Sequence, residues 1–146
     1  MIFRKNVIPV CVSLVLCAAL CSCKSSHDLS GIWHGKMDVP DARNGGSTEM
    51  DAALQQTPNG LTGNITWHHP SGAWQSLSEA TFVVNSGVVA ADKVSIIASD
   101  DLGGGKATLN FTGTIDGNSL KGTVTFGITS IMGGGTFPGT FELKKE

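Results

Sequence analysis

Beyond Cys23 this chain has no cysteine, beyond Arg43 it has no arginine, and tyrosine is absent throughout. Cys11, Cys17, Cys21 and Cys23 account for all four cysteines of the 146 residues. The rest of the chain therefore cannot be a disulfide scaffold, a thiol enzyme, or a Cys-ligated zinc or iron–sulfur protein. Charge is scarce as well, at 15% of residues. With Arg4 and Lys5 set aside, eight of the ten basic residues face all twelve acidic ones, a net charge near −4 with no basic cluster. That balance argues against a nucleic-acid partner. Helical periodicity is missing too, because past Ser30 apolar residues never recur at a sustained three-four spacing. The length suits one ordinary domain able to bury a core without staples.

What is present starts at the N-terminus. Arg4 and Lys5 precede an uncharged run, Val7 to Leu20, interrupted only by Pro9. The run is about 14 residues, short of the roughly 20 that a membrane-spanning helix needs, and its flanks are those of a secretory leader. The stretch Leu20-Cys21-Ser22-Cys23 resembles the lipobox of bacterial lipoproteins, with Cys21 in a position more often held by Ala or Ser. The resemblance implies a leader of residues 1–22 that is cleaved off, lipidation of Cys23, a short tether over 23–30 and a folded domain over 31–146. It also implies several acyl chains, palmitate among them. One chain, at about 0.8 kcal/mol per buried CH₂, holds a protein only reversibly, whereas two or more hold it stably. Lys24 rather than Asp after the lipidated Cys implies the outer membrane, with the domain expected on the periplasmic face.

The remainder reads at period two. Trp33, Gly35, Met37 and Val39 alternate with Ile32, His34, Lys36 and Asp38. Met50, Ala52 and Leu54 form a second apolar row, and Leu61, Gly63, Ile65 and Trp67 a third. Ala80, Phe82 and Val84 mark a fourth strand within Leu77 to Val84, and Val94 with Ile96 a fifth over Lys93 to Ala98. Leu109, Phe111, Gly113 and Ile115 lead into the hairpin signal Asp116-Gly117-Asn118, from which Leu120, Gly122, Val124 and Phe126 return. Phe137, Gly139, Phe141 and Leu143 close the series. Eight strands split by turn residues predict an all-β sandwich or a closed barrel. Glycine helps to choose. Gly35, Gly63, Gly113, Gly122 and Gly139 all fall on the inward face, at roughly 0.5–1 kcal/mol each. That sum weighs on a typical net stability of about 5–15 kcal/mol, so a geometric need is implied, and the sharp bends of a small barrel supply it.

Leu29-Ser30-Gly31-Ile32-Trp33-His34-Gly35, the phrases Leu61-Thr62-Gly63 and Leu120-Lys121-Gly122, and Pro138-Gly139-Thr140-Phe141 together resemble the small bacterial meander barrels related in architecture to lipocalins and avidins. The resemblance covers nearly all of Asp28 to Lys144. It implies an eight-stranded antiparallel up-and-down, lipocalin-like barrel. In lipocalins the Trp equivalent to Trp33 closes one barrel end beneath a late-strand Arg; no arginine follows Arg43, so the match is one of architecture. Avidin-like biotin sites use a tyrosine, which is absent, so biotin is not carried over.

In such a meander, alternate connections collect at opposite ends. Pro40 to Ser47, His69 to Trp74, Ser99 to Lys106 and Gly127 to Gly135 are expected at the end far from the lipid. Thr57 to Gly60, Asn85 to Asp92 and Asp116 to Asn118 are expected at the end with the termini. Loops on a rigid scaffold commonly carry binding, so the far end is the expected working face. The expected function is capture of a small apolar ligand, with Trp33, Trp67, Trp74, Phe111, Phe126 and Phe137 as its walls. The alternative is a filled barrel whose far loops bind an envelope protein, Trp74 supplying a contact.

No metal or cofactor is expected. His68 and His69 are adjacent on a strand and point to opposite faces, and His34 is read at another height. Asp100-Asp101-Leu102-Gly103-Gly104-Gly105 lacks the acidic spacing of a calcium loop and reads as a solvated hairpin. Ile131-Met132-Gly133-Gly134-Gly135 reads as a flexible apolar loop or lid. No nucleophile-elbow phrase and no inward carboxylate pair occurs, so an enzyme is not expected. The chain is expected to act as a monomer.

Overall fold

A computed structural model describes residues 27–40, 46–68, 79–101, 105–131 and 133–146. The leader, Cys23, the whole His69 to Trp74 loop and Met132 lie outside the described residues, as do Leu102 to Gly104. Eight strands follow one another: β1 (Gly31–Asp38), β2 (Ser47–Thr57), β3 (Gly60–His68), β4 (Glu79–Ala90), β5 (Lys93–Asp101), β6 (Gly105–Asp116), β7 (Ser119–Ser130) and β8 (Gly133–Lys145). Each pairs antiparallel with the next, and β8 returns to β1 through Trp33 opposite Lys145 and Met37 opposite Phe141. The sheet is thus a closed eight-stranded up-and-down barrel, and closure leaves no edge strand to template aggregation.

Period-two patterning explains the strands. In β2, Thr48, Met50, Ala52 and Leu54 are buried while Ser47, Glu49, Ala53 and Gln55 are exposed. The same alternation in every strand places one row inward, where Trp33, Phe82, Phe126, Met50, Ile65, Leu109 and Leu120 are almost completely buried. The inward glycines let this core close. A Cβ on Gly35 would run into the carbonyl oxygen of Glu142 on β8, and one on Gly122 into that of Thr112 on β6. At those positions the neighbouring backbone fills the space a side chain would need, as sharp coiling of a narrow barrel requires.

The strands are longer than the sequence predicts. Asn85 to Ala90 belongs to β4, which continues past a bulge between Val84 and Ser86 and turns at Ala91 and Asp92. Ser99 to Asp101, Gly105 to Lys106, Gly127 to Ser130 and Gly133 to Gly135 are likewise strand. The expected flexible loop around Ile131 is therefore the tip of the long β7–β8 hairpin, with Ser130 Oγ donating to the Gly133 carbonyl at 2.8 Å. Glycine lowers β propensity, so the Gly133-Gly134-Gly135 run looked like a loop. A continuous ladder with Thr129 and Ile128 holds it in the sheet regardless.

The end that carries the termini is shut. Leu29, 1% exposed, plugs it. Its N–H donates to Gln56 Oε1 at 2.9 Å, and its carbonyl accepts the Trp33 indole Nε1–H at 2.9 Å. Lys145 Nζ lies 5.8 Å from the Trp33 ring centre and donates to the Asp28 carbonyl at 2.9 Å. A late-strand lysine thus stands over the tryptophan. Hydrogen bonds from the Ser30 side chain and backbone hold the Asp28 carboxyl below its ordinary pKa.

Candidate functional site

Of the six aromatic residues expected to form a ligand site, the five that the structure describes do not meet in one place. Trp67 on β3, Phe126 on β7 and Phe137 on β8 come together in the half of the barrel away from the termini. Phe82 on β4 completes the group, an inward residue that the sequence reading placed in the core without assigning it to the site. Trp67 meets Phe82 edge-on at 5.0 Å between ring centres and Phe126 at 5.3 Å with a 53° tilt. Phe126 stacks on Phe137 at 6.3 Å. Phe111 instead pairs edge-on with Phe141 at 5.0 Å, and Trp33 belongs to the shut end. The one-dimensional pattern sorts residues by face, and only barrel register sorts them by height; Leu109 opposite Phe126 and Phe126 opposite Phe137 set this layer. Trp74 lies outside the described residues.

Burial changes along the axis within this layer. Trp67 and Phe126 are buried, whereas Phe137 and Ile128, both on inward rows, are only partly so. Among the described residues Thr48 is the one buried polar side chain, and its hydroxyl donates to the His68 carbonyl at 2.7 Å, tying β2 to β3. The Trp67 indole Nε1–H is buried with no acceptor.

The outer wall carries a second grouping that the sequence reading separated by height. His34 on β1 stands opposite Asp51 on β2, and His68 on β3 reaches the same carboxylate diagonally. His34 Nδ1 is 2.5 Å from Asp51 Oδ1 and His34 Nε2 is 2.9 Å from Glu146 Oε1; His68 Nε2 is 2.8 Å from Asp51 Oδ2. Glu79 lies 3.8 Å beyond, from His68 Nδ1. The row alternates carboxylate and imidazole from the chain end across β1, β2, β3 and β4. An imidazole can donate from both nitrogens only when protonated. The hydrogen bonds that His34 donates to the Asp51 and Glu146 carboxylates accordingly raise its pKa above the ordinary value. At Asp51 partial burial pulls the pKa upward, but the bonds and charges of His34 and His68 outweigh it and the net shift is downward. The expectation that His34 and His68 stand apart is thus corrected. The register between β1, β2 and β3 brings both to Asp51, a pairing that linear spacing conceals. Among the described residues, no three His, Cys, Asp or Glu side chains are placed to share a metal ion.

A groove of about 540 Å³, bordered by Lys36, Lys121, Thr140 and Glu142, also runs over the outer wall, outside the barrel interior. No family model, curated protein or solved structure matches this chain. The fold and its chemistry are therefore the ground for a functional reading.

Proposed function

We propose that this protein is a lipid-anchored envelope protein whose barrel takes up a small, mainly apolar ligand at the end away from its termini. The observation that carries the reading is the layer Trp67, Phe82, Phe126 and Phe137: aromatic, inward, and grading from buried Trp67 to half-buried Phe137 and Ile128 toward the chain connections. Leu29 fills the opposite end at 1% exposure, so entry is expected at the far end. An eight-stranded barrel has room for side chains or one modest ligand, and an apolar aromatic layer suits an apolar guest. The reading is of a carrier or receptor and not an enzyme.

The test is extraction and mass spectrometry of the protein purified from its own envelope. A stoichiometric apolar molecule in wild type, depleted in Phe126→Ala, is the expected result; an empty barrel that also ignores apolar probes overturns the reading. Anchoring at Cys23 is tested by metabolic labelling with palmitate. Label is expected in the wild type and absent from Cys23→Ser, and the labelled protein is expected in outer-membrane fractions.

A second reading rests on Ile131, which is 99% exposed at the tip of the β7–β8 hairpin. A bare isoleucine at a hairpin tip suits a contact with another envelope protein, in which case Ile131→Ser abolishes partner capture and leaves the ligand content untouched.

A further inference from the structure

The two described tryptophans are both almost wholly buried, at 1% exposure for Trp33 and 3% for Trp67. Their indole N–H groups are treated differently. Trp33 donates to the Leu29 carbonyl, whereas Trp67 has no acceptor. A buried donor without a partner is costly, and native structures leave few of them without a reason. Here the donor sits in the aromatic layer proposed above to hold a ligand, between Phe82 and Phe126. We infer that the Trp67 Nε1–H is the polar anchor of that ligand, and that the guest is a neutral, largely apolar molecule bearing one hydrogen-bond acceptor, such as a ketone, ester or ether oxygen.

This inference rests on the ligand-binding reading and narrows it. The neutrality follows from the interior. Thr48 is the one buried polar side chain among the described residues, and its hydroxyl is spent on the His68 carbonyl. No charged side chain is buried among the described residues; the inward rows carry charge at two half-buried positions, Lys145 over Trp33 at the shut end and Asp100 opposite Ala107 at the far rim of β5. At the depth of Trp67 an anionic head group would be buried without a counter-charge and rejected by desolvation, and a cationic one finds no acceptor in the indole N–H. A neutral acceptor is different. It satisfies the indole donor that is otherwise stranded, while its hydrocarbon body packs on Phe126 and Phe137. A site built around a buried donor discriminates against analogues that lack the acceptor, because those leave the donor unpaired.

The test uses the full chain in detergent micelles and two probes of nearly equal shape, acetophenone and α-methylstyrene, which differ in carrying a carbonyl oxygen or a methylene. Indole proton resonances are assigned with Trp33→Phe and Trp67→Phe. Acetophenone is expected to move the Trp67 indole proton downfield, with the Trp33 proton unmoved; α-methylstyrene is expected to perturb the far-end aromatic signals without that downfield shift. Comparing each probe between wild type and Trp67→Phe at equal detergent cancels its partitioning into the micelle. The variant should weaken acetophenone by about tenfold, the scale of one hydrogen bond, and leave α-methylstyrene within about twofold. If both probes bind at the far end and neither the downfield shift nor the selective loss is seen, the anchor role of Trp67 is overturned and the ligand site stands. If neither probe perturbs any far-end resonance, the ligand-binding reading falls, and the anchor with it.

Discussion

Trp33 and Trp67 sit on inward rows of neighbouring parts of one barrel, yet they live at chemically opposite ends. At the end with the termini, Leu29 fills the opening, its amide and carbonyl are both bonded to side chains, and Lys145 lies against the Trp33 ring. At the other end the Trp67 donor is unpaired; half-buried inward residues occur at both ends, Ile128 and Phe137 there and Val89 near the termini. The first arrangement serves stability, since every buried polar group described there has its partner. The second leaves interactions unmade, which is the arrangement expected where a guest completes the structure.

The largest effect should come from unplugging the shut end. Leu29→Ala is expected to cost about 2–5 kcal/mol, as a buried leucine deletion does, read from urea denaturation. A loss below about 1 kcal/mol would show that Leu29 is not a plug. The sharper comparison is between the two tryptophans. Replacement by Phe removes similar volume from each, but Trp33→Phe also leaves the Leu29 carbonyl without its donor, an additional cost of about 1–3 kcal/mol. Trp67→Phe removes a donor that had no acceptor, so in the ligand-free protein it should be the milder change by about that margin. Equal losses in the two variants would erase the contrast between the ends.

The outer-wall ladder makes a smaller, pH-dependent contribution beside the seam that closes β8 onto β1. The His34 pKa is raised by the hydrogen bonds it donates to Asp51 and then Glu146, so its stabilisation is fully present below the ordinary imidazole value of 6.5 and is lost as pH rises through the raised value. Asp51 is lowered, so its part is present above the ordinary 3.8 and is lost as pH falls through the lowered value. Lys144 stands opposite His34 across the seam, a basic neighbour, and Lys36 stands between Glu49 and Glu142. Urea midpoints of wild type should fall between about pH 6 and about pH 8 more steeply than those of His34→Gln. Parallel profiles would remove His34 from the seam. The least effect is expected at the hairpin tip: Ile131→Ser should stay within about 0.5 kcal/mol of wild type by thermal melting, since its side chain is free of packing.

Much of the barrel was legible beforehand because period two is written residue by residue. The inward rows Trp33 to Met37, Leu61 to Trp67 and Leu120 to Phe126 read directly, as did the glycines that take the close approach of neighbouring backbone. Strand length was less legible. The Ser86-Gly87 and Gly133-Gly134-Gly135 stretches carry turn composition, and only ladder bonds to β5 and β7 make them strand. The aromatic layer was half legible. Trp67, Phe126 and Phe137 were marked as inward aromatics, but Trp33 and Phe111 were grouped with them because alternation does not encode height. The Asp51 ladder was missed for a related reason, since His34 and His68 are 34 residues apart and meet through a third strand.

By itself, then, the sequence determined which face the alternating rows present, the order of the eight strands, and that the residues past Cys23 offer no cysteine for a disulfide or a thiolate-bound metal. Those properties follow from side-chain chemistry and from the two-residue repeat of an extended backbone, which are local. The tertiary structure alone decided which residues share a layer. Closing β8 onto β1 sets the registers, and the registers put Leu29 beneath Trp33 with its bonds complete, and Trp67 among Phe82 and Phe126 with its indole donor unanswered.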